Sequence, residues 1–153
     1  MIRIVAVALL LAGCAGDTSV RALEERALPL FFDEARAIET GGPERFFCLA
    51  TARNGRSVDA PAAIVASRQE AWDVPVLPVS RCRQGDDSLV YAEDVEGTGR
   101  ILTVGDLSCQ AARGCSGWAS YYAANEGAAS IDVILQRTLT GFKIERSNVN
   151  FVS

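Results

Sequence analysis

Ser116-Gly117-Trp118-Ala119-Ser120-Tyr121-Tyr122-Ala123-Ala124, then Asn125-Glu126-Gly127, then the run from Ser130 to Leu139 decide the fold. Aromatic and β-branched residues in two short runs, parted by turn residues, predict two strands and the connection between them. Alternation puts Trp118, Ser120 and Tyr122 on one face and Tyr121 on the other. Thr140-Gly141 then turns tightly into a last strand, Phe142 to Phe151. Upstream, Leu89 to Ala92 and Arg100 to Cys109 read as strands joined by the acidic loop Glu93-Asp94-Val95-Glu96-Gly97-Thr98-Gly99. Consecutive strands with short connections predict an antiparallel meander.

The residues before the meander supply what covers it. From Ser19 the apolar positions Val20, Leu23, Ala27, Leu30, Phe31, Ala35 and Ile38 recur at threes and fours, the helical period. Thr18 or Ser19 can cap this helix, and Gly41-Gly42-Pro43 stops it. Pro29 removes one helical hydrogen bond, which predicts a kink or two abutting helices. Arg45 to Thr51 reads as a first, largely buried strand, and Asn54-Gly55 as a tight turn. Asp59 is expected to cap a second helix from Pro61 to Trp72. The prolines of Val74-Pro75-Val76-Leu77-Pro78-Val79 keep that stretch extended but out of a central strand, and it returns Ser80-Arg81-Cys82 towards Cys48. Helices on one face of a sheet give an α+β architecture.

The chain starts differently. Met1-Ile2-Arg3 and the apolar run Ile4 to Leu11 have the form of a secretory signal peptide and are too short to span a bilayer. Leu11-Ala12-Gly13-Cys14 resembles the lipobox of bacterial lipoproteins. That resemblance implies removal of residues 1–13, lipidation of Cys14 and a membrane anchor. Residues 14–18 would be a tether and 19–153 one globular domain. Ala15 after the cysteine resembles the default sorting to the outer membrane, with the body facing the periplasm.

With Cys14 lipidated, Cys48, Cys82, Cys109 and Cys115 remain for an oxidising compartment, and four cysteines permit three pairings. Arg113-Gly114, read as a turn between strands, favours Cys109–Cys115 and leaves Cys48 to Cys82. The formal net charge is −4, one unit more negative once Arg3 is removed, so the composition does not suit nucleic acid or anionic lipid.

From about residue 20 to 153 the order of elements, the segment Val74 to Cys82 and the ending Val149-Asn150-Phe151-Val152-Ser153 resemble small secreted or lipid-anchored bacterial proteins of no assigned function. Their helix on a curved antiparallel sheet is similar to cystatin-like or NTF2-like folds. Aromatic residues stand in that pattern where Cys109 stands here, and it carries over no catalytic residues.

Histidine is absent, which excludes Ser-His-Asp and Cys-His catalysis and imidazole ligation. Asp86-Asp87 and Glu93-Asp94-Glu96 lack EF-hand spacing and read as solvated loop charges, so neither a metal nor a cofactor is called for. Gly97-Thr98-Gly99 precedes no helix and reads as a turn. Ser80, Ser116 and Ser120 could be nucleophiles only with Lys143 as base, and no motif joins them. A buried carboxylate could act as a base, with Asp132 and Glu145 the candidates inside strands, although alternation puts both on the solvent face. Trp118 and Tyr122, with Phe31 or Phe32 above, could line a pocket. The expectation is a non-catalytic envelope module that binds or supports an envelope component. The alternative is an NTF2-like pocket protein for a small apolar ligand.

Overall fold

A computed structural model describes residues 19–38, 44–123, 127–146 and 149–152. The leader, Cys14, its tether, the Gly41-Gly42-Pro43 stop and Asn125-Glu126 lie outside these residues. The architecture is α+β, with a long helix against a large, curved, mixed sheet.

Helix α1 spans Val20–Arg36, and the Ser19 hydroxyl accepts from the Ala22 amide 3.2 Å away. It passes through Pro29 as one element, so there are not two abutting helices. Strand β1 (Phe47–Arg53) turns at Asn54-Gly55 into β2 (Arg56–Asp59). Both turn residues have positive φ, 52° and 72°, the backbone of a two-residue hairpin. β1 begins and ends two residues later than its apolar pattern predicts, and β2 is not legible from sequence because its residues are all exposed and carry no apolar alternation.

Helix α2 (Ala62–Ala71) begins at Pro61 with no side-chain cap. The expected cap, Asp59, belongs to β2, and its carboxylate is occupied. It accepts the Ser80 amide at 2.7 Å and the Ser80 hydroxyl at 2.8 Å. The prolines admit only a short edge strand, β3 (Val76–Pro78), followed by a 3-10 turn (Val79–Arg81) and β4 (Cys82–Gln84).

Strands β5 (Val90–Ala92), β6 (Val95–Gln110), β7 (Gly114–Ala123) and β8 (Gly127–Arg137) form the meander. The expected acidic loop is mostly strand. Ala92 pairs with Val95, so Glu93-Asp94 alone make the turn, and Gly97-Thr98-Gly99 lie inside β6. Glycines and charges mimicked a loop because this part of β6 is largely exposed. The expected last strand is two segments, β9 (Phe142–Arg146) and β10 (Asn150–Val152), both antiparallel to β8.

The sheet is not purely antiparallel. β1 runs parallel to β6, with Phe47 beside Arg100 and Ala52 beside Gly105, and parallel to β3. Parallel neighbours need a long crossover, which the hairpin, α2 and β3 to β5 provide between β1 and β6.

Around β1 both faces of the sheet are covered. Leu23, Ala27, Phe31, Phe32, Leu49, Leu102, Tyr121 and Val133 pack between the helices and the sheet. On the other face Phe46, Cys48, Leu77 and Val90 form a smaller core, with Tyr122 and Ile101 against it. This is why Phe46 to Ala50 is one apolar run: neither face of that strand sees water. Asp33 fastens α2 to α1, accepting from Arg68 at 2.6 Å and from the Trp72 indole at 3.1 Å.

Disulfides join Cys48 to Cys82 and Cys109 to Cys115. The second crosses the β6–β7 hairpin between paired residues, and Gly114 there has φ of 113°. A Cβ at Gly114 would lie 1.9 Å from the Leu135 carbonyl oxygen, so the position excludes any side chain.

Candidate functional site

Beneath the C-terminal half of α1 the space is filled: Phe31 and Phe32 are fully buried. Towards the N-terminal half a cleft of about 940 Å³ opens between α1, the start of α2 and the parallel ends of β1 and β6. Arg21, Glu24, Glu25 and Leu28 form its α1 wall, a stripe at helical spacing. Pro61, Ala63 and Ile64 form the α2 wall. Thr51 to Arg53 of β1 and Val104 to Leu107 of β6 form the floor.

The floor owes its shape to a bulge. Asp106 and Leu107 stand opposite Gly117 alone, since Gly105 pairs with Trp118 and Ser108 with Ser116. Asp106 has φ of 51°, a backbone that aspartate tolerates better than most residues. From the far face of the sheet the Trp118 indole lies over Gly105 and donates to Asp106 at 2.9 Å. A Cβ at Gly105 would fall 2.2 Å from that ring, so glycine is required there.

Thr51 is 8 % exposed, and its hydroxyl has no hydrogen-bond partner among the described residues. A buried hydroxyl left unpaired costs about 1–3 kcal/mol. The cleft also has five charged lining residues. Arg21 pairs with Glu25 at 3.0 Å, and Asp106 accepts from Trp118. The side chains of Glu24 and Arg53 make no ion pair or hydrogen bond among the described residues. The first-turn amides of α2 add positive potential, because Pro61 caps them with no side chain.

The pocket expected from sequence does not form. Trp118 and Tyr122 do share a face, but Phe31 and Phe32 lie on the opposite one, with Tyr121. A Cβ on Gly117, which faces the helices, would sit 3.2 Å from the Phe31 ring. Gly117, Ala119, Tyr121 and Ala123 make up the helix-side face of β7, and Trp118 and Tyr122 are turned away from it. The Tyr122 hydroxyl receives the Gln84 amide and donates to the Ser88 carbonyl at 3.2 Å, which ties the outer core together.

Asp132 is exposed on β8, and Glu145 pairs with Lys143 at 3.5 Å. Ser80 is engaged by Asp59, while Ser116 and Ser120 lie on the face away from the helices. Asp87 accepts the Tyr91 hydroxyl at 2.5 Å and the Leu89 amide at 3.0 Å. Those bonds, the tyrosine's first, hold its carboxyl below the usual range, and the same bond raises the Tyr91 phenol. Asp94 pairs with Arg81 at 2.8 Å. These acids serve their own loops.

The cleft residues come from four elements and share no local motif, so the sequence reading missed them. Gly105-Asp106 in mid-strand was the available signal, because a glycine inside a strand pattern suggests a bulge. Comparison with protein-family models, curated proteins and solved structures returns no match.

Proposed function

We propose that the chain is a lipid-anchored envelope protein whose folded domain is a non-catalytic binding module for a small ligand held in the α1–α2 cleft. The observation that carries the binding half is the buried, unpartnered Thr51 hydroxyl among apolar lining residues Leu28, Ile64, Val104 and Leu107. Binding sites combine such an apolar lining with a few placed polar groups, in volumes of roughly 300–1,000 Å³. Two disulfides support an oxidising compartment. A helix laid on a curved sheet supports likeness to a cystatin-like or NTF2-like scaffold, and the cleft favours the pocket-protein form of the reading over a purely structural role.

Non-catalytic action is proposed on chemical grounds. Histidine is absent, the carboxylates that line the cleft are not fully buried, and Lys143 is not among the lining residues, so the cleft offers no base poised near neutral pH. The anchor rests on Leu11-Ala12-Gly13-Cys14. Labelled palmitate enters the wild-type chain in bacteria and fails to enter Cys14→Ser, which is left in the soluble fraction or unprocessed. Equal labelling of both contradicts the anchor. Binding is read by amide chemical-shift mapping, with perturbations expected around Thr51.

A further inference from the structure

The charges that line the cleft can be sorted by what already occupies them. Arg21 and Glu25 neutralise one another on the outer turn of α1, and Asp106 is held by the Trp118 indole. Two charges of opposite sign are left on different walls: Glu24 on α1, half-buried, and Arg53 at the end of β1. Arg53 lies two residues beyond Thr51 and so on the same face of the strand, about 7 Å further towards the mouth. The start of α2 stands over that end, with the Ala62 and Ala63 amides leading the helix. The Ile64 and Val65 amides are already bonded to the Pro61 carbonyl.

One side of the cleft is therefore arranged for an anion and the other for a cation, with apolar surface between. We infer that the ligand is a small zwitterion with an apolar body: a hydrophobic amino acid or a short hydrophobic peptide with free ends. Its ammonium lies at Glu24, and its carboxylate at Arg53 and the first turn of α2. Its side chain rests on Leu28, Ile64 and Val104. The Thr51 hydroxyl, buried without a partner among the described residues, is the neutral donor left for the ligand carboxylate. A plain hydrocarbon ligand would leave Thr51, Glu24 and Arg53 unsatisfied. A purely anionic one could meet Arg53 but would leave Glu24 without a cationic partner. Bidentate guanidinium–carboxylate contact gives both strength and orientation.

This inference rests on the cleft being the binding site, and its test separates the two. Titration calorimetry on the purified protein uses four probes: L-leucine, the dipeptide Leu-Leu, N-acetyl-leucine and leucine amide. Saturable binding is expected for leucine if a free amino acid is the ligand, and for Leu-Leu if a peptide is. Both end-blocked probes should bind about tenfold more weakly, since each loses one charge-assisted contact. Thr51→Val, which keeps the shape, and Arg53→Gln, on an exposed side chain, should each weaken the zwitterion about tenfold. Arg53→Gln should also abolish the discrimination against leucine amide, a change that mere loosening of the fold would not produce. Melting temperatures of both variants serve as the folding control. Binding of the blocked probes as tight as the free ones overturns the inference, as does failure of both zwitterions to bind. If uncharged molecules then map to the cleft, the binding-module reading stands and only the ligand class falls.

Discussion

Replacing Cys48 and Cys82 together by alanine lowers the stability of the oxidised protein by about 4 kcal/mol in denaturant unfolding. The bridge spans a sequence separation of 34, and closing so long a loop removes much of the entropy of the unfolded chain. The loss has a second source. Cys48 is fully buried beside Phe46, Leu77 and Val90, so the bridge is also part of the outer core. The Cys109–Cys115 bridge closes a separation of only 6, inside a hairpin already held by its ladder. Its removal costs about 2 kcal/mol. Equal losses from the two double variants would contradict the assignment of the first bridge to the outer core.

Phe31→Ala destabilises the protein by about 3–5 kcal/mol, as deletion of a large buried ring does. Phe31 has no exposed surface and packs at Gly117, opposite the bulge in β6. The hole lies between helix and sheet, where the backbone of α1 cannot collapse without disturbing the Arg68–Asp33–Trp72 contacts. Urea midpoints with an unchanged m-value measure the loss. A loss below about 1 kcal/mol would mean that Phe31 faces open space, as a pocket wall would, and would reverse the assignment of faces.

Phe31 and Trp118 differ in how far a sequence discloses their place. The spacing of Leu23, Ala27, Phe31 and Ala35 identifies α1 and its inner face, because helical periodicity is written locally. The hairpin turns at Asn54-Gly55 and Gly114 are legible for the same reason: each needs a residue that accepts positive φ. Alternation correctly grouped Trp118 with Tyr122, but it does not say which face of a strand meets the helix. Gly117, Ala119, Tyr121 and Ala123 lie on the helix side, and the other face meets a second core whose covering strands come from distant sequence. The parallel pairing of β1 with β6 is equally non-local. Thr51 looks like an ordinary strand residue until Leu28, Ile64 and Val104 are brought around it.

The proposed function places the ligand in the cleft between α1 and α2. Amide chemical-shift mapping with the small molecules found by a fragment screen tests it most directly. Perturbations are expected to cluster at Thr51 to Arg53, Ala63 and Ile64, and Val104 to Leu107, and to need higher ligand concentrations in Thr51→Val. Perturbations gathered on the opposite face, around Gln84, Trp118 and Tyr122, or spread without a centre, would contradict it.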